Sequence, residues 1–113
     1  MKKLEIFIKP EKLEQIKKIL AKHEYAGMTT TAVMGCGHQK GQLPPEFMEM
    51  DIELNLMPRL QVMTVVWDED AEEIITDIIE EVSTGEVGDG KIFVSDVSDV
   101  IRIRNGERGE AIL

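Results

Sequence analysis

The sequence predicts an α+β domain whose elements follow the order β-α-β-β-α-β. Four short segments rich in β-branched residues indicate strands, and two segments with apolar residues at helical spacing indicate amphipathic helices. Glycine and proline separate these segments. The 113 residues suit one domain, which we predict to span residues 1–113.

The strands are predicted at 3–8, 28–34, 60–67 and from Lys91 onward. The first helix, of about twelve residues, is expected to begin at Pro10, because the fixed φ of proline suits a first helical position. Asp68 and Asp70 can cap the second helix. The apolar stripe of that helix comprises Ala71, Ile74, Ile75, Ile78, Ile79 and Val82.

This order is the ferredoxin-like split βαβ pattern, in which two helices cover one face of an antiparallel four-stranded sheet. Successive residues of a strand face opposite sides of the sheet, and the third strand has apolar residues on both sides, with Val62 on one and Met63 and Val65 on the other. This pattern favours burial of both faces of the sheet. We therefore expect a homo-oligomer.

Composition excludes several classes of protein. The net charge is −9, and the single cysteine cannot form an internal disulfide, which favours a reducing cytoplasm. No apolar run is long enough to cross a membrane. Because an acidic surface repels phosphates, we expect no binding to nucleic acid.

The glycine-rich segment Thr84–Lys91 is the first candidate binding motif. Three glycines allow its backbone N–H groups to face an anion, and Lys91 adds a positive charge. It is not a Walker A loop, because it lacks Gly-Lys-Ser/Thr and leads into a strand. The alternative is an ordinary turn between helix and strand.

Arg102-Ile103-Arg104 is the second candidate. In an extended chain, residues two apart face the same side, so both guanidinium groups can bind one polyanion. With Lys91 they would suit a di- or triphosphate. The alternative is that these arginines pair with acidic neighbours: Asp96, Asp99 or Glu107.

The third candidate is Gly35–Gly41, where glycines permit close backbone approach. Gln39 offers a neutral carbonyl and Lys40 a positive charge. Cys36 and His38 could form half of a metal site, but the sequence has no other cysteine, and its one further histidine is His23.

Four segments resemble the PII signal-transduction family, the trimeric nitrogen-regulatory proteins: 27–29, 37–41, 84–94 and 100–110. The resemblance covers essentially the whole chain. It implies a homotrimer that binds ATP or ADP in the clefts between neighbouring subunits and acts as a regulator without enzymatic activity.

The resemblance also implies roles for single residues. Thr29 and Val65 would line the adenine pocket, and Arg102, Ile103 and Arg104 would reach the phosphates from the adjacent chain. The groups expected near the phosphates within the chain are Gly37, His38, Gly88, Asp89, Gly90 and Lys91. Gln39 would coordinate Mg²⁺ together with ATP and 2-oxoglutarate, and Lys40 and Arg59 would bind 2-oxoglutarate.

Three positions depart from the family pattern. His38 stands where the family usually has Arg, so one phosphate contact becomes pH-sensitive or is lost. Arg59 replaces a Lys that contacts a 2-oxoglutarate carboxylate, and its reach differs. Met63 replaces a Glu near the adenosine.

Residues 37–58 correspond to the family's T-loop, which docks onto partners. They contain no Tyr, Ser or Thr, so nucleotidylylation or phosphorylation of this loop is excluded. Apolar residues alternate with acidic ones, and methionines adapt to irregular surfaces. We expect Phe47, Met48, Met50 and Ile52 to contact a partner. The alternative is that residues 49–54 extend the second and third strands.

The resemblance implies that the target is an ammonium transporter or a nitrogen-metabolism protein, with membrane contact only through the partner. Three alternatives stay open: a specialised PII paralogue that acts on nitrogenase, a slow ATPase, and a metal-binding ferredoxin-like trimer that uses Cys36 and His38.

Overall fold

The computed structural model describes residues 1–23, 27–35 and 56–113. These residues form four strands and two α-helices: β1 Lys2–Ile8, α1 Leu13–Ala21, β2 Thr29–Gly35, β3 Met57–Val66, α2 Asp68–Val82 and β4 Lys91–Asp96. Two short 3-10 turns, Pro10–Lys12 and Glu110–Ile112, complete the order. The predicted α+β class and the order of elements are confirmed.

The four strands form one antiparallel sheet in the order β2-β3-β1-β4. This is the strand order of the ferredoxin-like pattern, with β2 and β4 at the two edges. Phe7 on β1 pairs with Gln61 on β3 and with Lys91 on β4. The beginnings of β3 and β4 therefore lie at the same end of the sheet.

One face of the sheet packs against both helices and forms the core. Alternate residues of β1 and β3 are buried there: Leu4, Ile6, Ile8, Val62, Thr64 and Val66. The helices contribute Ile16, Ile19, Leu20, Ala71, Ile74, Ile78 and Val82. Burying one Leu, Ile or Val side chain stabilises a fold by about 1.5–3 kcal/mol. The buried Thr64 hydroxyl donates to the Gly27 carbonyl at 2.6 Å, which fixes the entry to β2.

The opposite face carries polar and aromatic groups. The rings of Phe7 and Phe93 meet edge to face with centroids 5.6 Å apart. The Gln61 amide donates to Glu5 at 3.0 Å beside them. Phe93 remains 55% exposed in the single chain. The predicted burial of this face thus depends on another molecule and stays a prediction.

The predicted start of β3 differs from the structure. β3 begins at Met57, not at Leu60, so Met57 and Pro58, the last two residues of the predicted loop, pair with Gly35 and Met34. The proline is accommodated because β1 ends at Ile8, opposite Leu60, and Pro58 interrupts no pairing on that side.

The predicted capping of α2 is also corrected. The N-cap residue is Trp67, which makes no side-chain capping bond, and Asp68 and Asp70 lie within the first turn. There Asp68 lies 3.0 Å from the N-terminal ammonium of Met1. Pro10 begins a 3-10 turn that leads into α1. In the described part of the chain, neither helix has the length and apolar content needed to cross a membrane.

Candidate functional site

Residues 83–90, which we call the glycine loop, connect α2 to β4 and are organised around the Asp89 carboxylate. Four donors converge on that carboxylate: the Thr84 N–H at 2.9 Å, the Thr84 hydroxyl at 2.6 Å, the Gly85 N–H at 3.0 Å and the Ser83 hydroxyl at 3.3 Å. The carboxylate therefore cross-links the two ends of its own loop.

These hydrogen bonds favour the ionised form of Asp89. The bond from the Thr84 hydroxyl has the largest effect, followed by that from the Thr84 N–H, and with the bonds from Gly85 and Ser83 they lower the pKa of Asp89 from 3.8 to about 2. Asp89 is one of the residues predicted to lie around the phosphates, and that role stays a prediction. In the structure its side chain holds the loop.

Gly90 ends the loop at a position that accepts no side chain. Its φ is +107°, and an added Cβ would lie 1.8 Å from the Phe7 carbonyl oxygen. The backbone of the loop is thus pressed against β1. Because Lys91 is the next residue, this contact also fixes the point at which the Lys91 side chain leaves the sheet.

Lys91 is the first residue of β4 and is exposed. It forms no ion pair with any residue in the described ranges. Beside it, a cavity of about 350 Å³ opens between α2 and the strands β1 and β4. Asp89, Gly90 and Lys91 line this cavity together with Ile75 and Ile79. The positively charged residue Lys91 therefore lies at the border of a largely apolar cavity.

Residues 102–107, which we call the arginine turn, are not extended as predicted. The Gly106 N–H donates to the Arg102 carbonyl at 2.7 Å, and the Arg102 N–H donates to the Glu107 carbonyl at 2.8 Å. Gly106 adopts φ +76°. The turn-forming pair Asn105-Gly106 therefore overrides the alternation that suggested a strand. Arg102 and Arg104 are not placed on one side by strand geometry.

The two arginines of the turn differ in their partners. Arg102 pairs with Glu107 at 2.9 Å, as the alternative reading allowed. Arg104 has no ion pair or hydrogen bond among the described residues, and Ile103 between them is fully exposed. No hydrogen bond or ion pair within the described ranges joins this turn to the glycine loop.

The other predicted site residues occupy several places. Thr29 begins β2 and pairs with Met63, while Val65 lies two residues further along β3; all three lie on the face opposite the helices. Arg59 lies on the same face near the start of β3, and its guanidinium donates to the Pro58 carbonyl at 3.3 Å. The predictions for Gly37, His38, Gln39, Lys40, Phe47, Met48, Met50 and Ile52 lie outside the described residues.

Sequence reasoning missed the roles of two pairs of residues in this site. Ser83 and Thr84 hold the Asp89 carboxylate, and the hydroxyl pair just before a Gly-rich segment that ends in Asp was the available signal. Ile75 and Ile79 were assigned to the apolar stripe of α2. They also line the recess beside Lys91, and the sequence has no signal for that.

Comparison with known proteins identifies the family. The family model described as nitrogen regulatory protein P-II matches residues 1–107. Nitrogen regulatory protein P-II 2 of Methanothermobacter thermautotrophicus is 41% identical over 110 residues, which cover 97% of this chain and 95% of that protein.

Two bacterial proteins show similar agreement. Nitrogen regulatory protein P-II of Rhizobium meliloti is 43% identical, with 96% of each chain covered. Nitrogen regulatory protein P-II 1 of Escherichia coli K12 is 40% identical over the full length of both chains. The family match includes both the glycine loop and the arginine turn, and the fold agrees with it. The chain therefore belongs to the nitrogen regulatory protein P-II family, whose members are signal transducers.

Proposed function

We propose that this protein is a nucleotide sensor that binds ATP or ADP between the subunits of a homotrimer. It is a regulatory binding protein rather than an enzyme. Residues 37–58 carry the signal to a target, an ammonium transporter or a nitrogen-metabolism protein in the cytoplasm. Without a hydroxyl in that segment, ligands and not covalent modification control the output.

The observation that carries the proposal is the glycine loop followed by Lys91, which forms no ion pair within residues 1–23, 27–35 and 56–113. The Asp89 carboxylate accepts hydrogen bonds from the N–H groups of Thr84 and Gly85. The N–H groups of Val87 and Gly88 donate to no acceptor in the described part of the chain. Free N–H groups beside an unpaired lysine are a typical environment for phosphate.

The placement of the other residues supports a site shared between subunits. Thr29 and Lys91 lie on β2 and β4, the two edge strands, which three strand spacings separate by about 14 Å. One copy therefore presents its adenine-facing and phosphate-facing groups on different parts of its surface. Neighbouring copies can bring the two groups together, with Arg102 and Arg104 reaching phosphates held by the next subunit.

Arg59 supports 2-oxoglutarate as a second ligand. Phe7 pairs with both Gln61 and Lys91, so Arg59 and Lys91 lie at the same end of the sheet. Arg59 pairs with no carboxylate among the described residues, and a guanidinium binds a carboxylate through two hydrogen bonds. Gln39 would hold Mg²⁺ with ATP and 2-oxoglutarate, and Lys40 would add a positive charge. These side chains fit the ligand chemistry, since an amide oxygen suits Mg²⁺.

Titration calorimetry with ATP and ADP tests the proposal. Wild-type protein is expected to bind both, and Lys91→Ala and Arg104→Ala are each expected to weaken ATP binding at least roughly tenfold. Lys18→Ala is the control, because Lys18 is an exposed residue of α1 and is distant in sequence from the glycine loop. Absence of ATP binding by the wild type, or equal binding by Lys91→Ala, would contradict the proposal.

The 2-oxoglutarate site has its own test. In the presence of Mg²⁺ and ATP, Arg59→Ala is expected to abolish 2-oxoglutarate binding, while Arg59→Lys retains part of it because the positive charge remains. ATP binding alone should change little in both variants. Equal 2-oxoglutarate binding by Arg59→Ala and the wild type would remove Arg59 from the site.

A further inference from the structure

His23 lies just beyond the C-terminal end of α1, and one of its ring nitrogens has no hydrogen-bond partner among the described residues. Its side chain is only 10% exposed. Nδ1 lies 3.7 Å from the Asp70 carboxylate. Nε2 is buried and has no hydrogen-bond partner among the described residues. A buried polar atom without a partner is costly in a folded protein, so such an atom needs an explanation.

Two further carboxylates surround the histidine. A ring nitrogen of His23 and one carboxylate oxygen each of Glu73 and Asp77 all lie within 4.8 Å of one another. Asp70, Glu73 and Asp77 follow at spacings of three and four residues, so they share one face of α2. Packing of α1 on α2 thus brings the imidazole of His23 close to three carboxylates that are distant from it in sequence.

The charge of α2 favours a cation at this place. The helix Asp68–Val82 carries eight acidic residues and no Lys or Arg. The neighbouring base is Lys22, which lies 4.0 Å from Asp77 and 3.3 Å from Glu81. Because Lys22 is 55% exposed and closer to Glu81, it can leave Asp77 at little cost.

We propose that His23, Glu73 and Asp77 form a binding site for a divalent transition-metal ion, with Zn²⁺ as the best-suited ion. One imidazole and two carboxylates are ligands that Zn²⁺ accepts in a tetrahedral site, and water takes the fourth position. Tetrahedral ligands about 2.1 Å from Zn²⁺ lie about 3.4 Å apart, so small side-chain rotations from the present separations complete the site.

Asp70 acts as a positioning residue in this site. A carboxylate near one ring nitrogen orients a histidine so that its other nitrogen faces the metal. The bound ion would link the end of α1 to the middle of α2. This site is separate from the nucleotide-binding residues, since none of its residues belongs to the glycine loop, the arginine turn or the open face of the sheet.

Calorimetric titration of Zn²⁺ into chelator-treated, nucleotide-free protein tests the proposal. Nucleotide is left out because its phosphates bind divalent ions themselves. One Zn²⁺ is expected per chain, together with a rise in melting temperature. His23→Gln and the double variant Glu73→Gln/Asp77→Asn should each weaken binding at least roughly tenfold, and Asp70→Asn should weaken it about tenfold.

Two controls separate this site from other sources of Zn²⁺ affinity. Glu72→Gln/Glu80→Gln removes the same charge from exposed positions of α2, and it should leave binding unchanged. Cys36→Ser/His38→Asn removes the metal ligands that the sequence suggested, and it should also bind one Zn²⁺. Absence of binding, loss of binding in the Cys36/His38 variant, or full binding by folded His23→Gln would each overturn the proposal. Circular dichroism verifies the folding of every variant.

Discussion

The glycine loop and the arginine turn are both proposed to bind the phosphates of one nucleotide, yet the two segments are ordered in opposite ways. The glycine loop turns its own carboxylate inward, so Asp89 orders the backbone, and Lys91 forms no ion pair with the residues that the structure describes. The arginine turn is ordered by Glu107, which pairs with Arg102, while Arg104 has no partner in the described part of the chain. In the proposed site the glycine loop is ordered before a ligand binds. In the arginine turn, Arg102 must first leave Glu107 if both arginines are to bind phosphate.

The difference indicates how much each of the two segments adds to the free-energy cost of binding a nucleotide. A loop fixed in advance loses little conformational entropy when phosphate arrives. Arg102 must leave a surface ion pair, which costs little because such pairs contribute about 0–1 kcal/mol. We therefore expect substitutions in the glycine loop to have the larger effects.

Gly90→Ala is expected to have the largest effect. The new Cβ would lie 1.8 Å from the Phe7 carbonyl oxygen at a φ of +107°, so the loop must move away from β1. We expect a loss of about 3 kcal/mol or more in the free energy of unfolding, measured by urea denaturation, together with loss of ATP binding.

Gly85→Ala is the matched control for that substitution. Gly85 also has a positive φ, +81°, but nothing lies within 4 Å of an added Cβ. Only conformational strain remains, and about 1–2 kcal/mol is expected. Similar losses in the two variants would show that contact with Phe7 is unimportant.

Asp89→Asn is expected to have the next largest effect. Because the pKa of Asp89 falls from 3.8 to about 2 on folding, its carboxylate stabilises the fold above pH 3.8, and this contribution disappears as the pH falls towards 2. The variant should lose less stability than the wild type over that interval. Its ATP affinity at neutral pH should be roughly tenfold lower, because the loop is less ordered.

Denaturation curves at several pH values, with calorimetry at pH 7, measure both effects. Glu86→Gln removes a carboxylate from the same loop without removing any of the bonds to Asp89, so it should behave as the wild type does. An acid response of Asp89→Asn equal to that of the wild type would contradict this role.

Glu107→Gln is expected to have the smallest effect, and in the opposite direction. Arg102 loses its anionic partner and becomes available to phosphate, so ATP affinity should rise roughly two- to fivefold while stability falls slightly. Asp99→Asn releases Arg108 in the same way and should leave ATP affinity unchanged. A decrease in affinity for Glu107→Gln would show that the ion pair is part of the binding geometry.

Much of the fold could be predicted from the sequence because each element has a strong local pattern. The alternation of Leu4, Ile6 and Ile8 and the helical stripe of Ile74 and Ile78 describe the core that the structure contains. These patterns are local, and burial of one face is what produces them.

The site was less predictable because its geometry depends on which way side chains point and on contacts between residues that are distant in sequence. The composition of residues 84–91 indicates an anion-binding loop, but not that Asp89 turns inward to Thr84. Alternation in Arg102-Ile103-Arg104 suggested a strand, and a competing turn signal followed it directly. His23 meets Glu73 only after two helices pack, so no sequence spacing reveals that cluster.

The most direct test of the shared nucleotide site is complementation between subunits. Lys91→Ala and Arg104→Ala chains are unfolded, mixed in equal amounts and refolded, and ATP binding is measured by calorimetry. If each site takes Lys91 from one subunit and Arg104 from its neighbour, random mixing restores an intact pair at about a quarter of the sites, although neither parent binds ATP tightly. Tight binding at about that fraction is the predicted result. No restored binding after mixing would contradict a site built from two subunits.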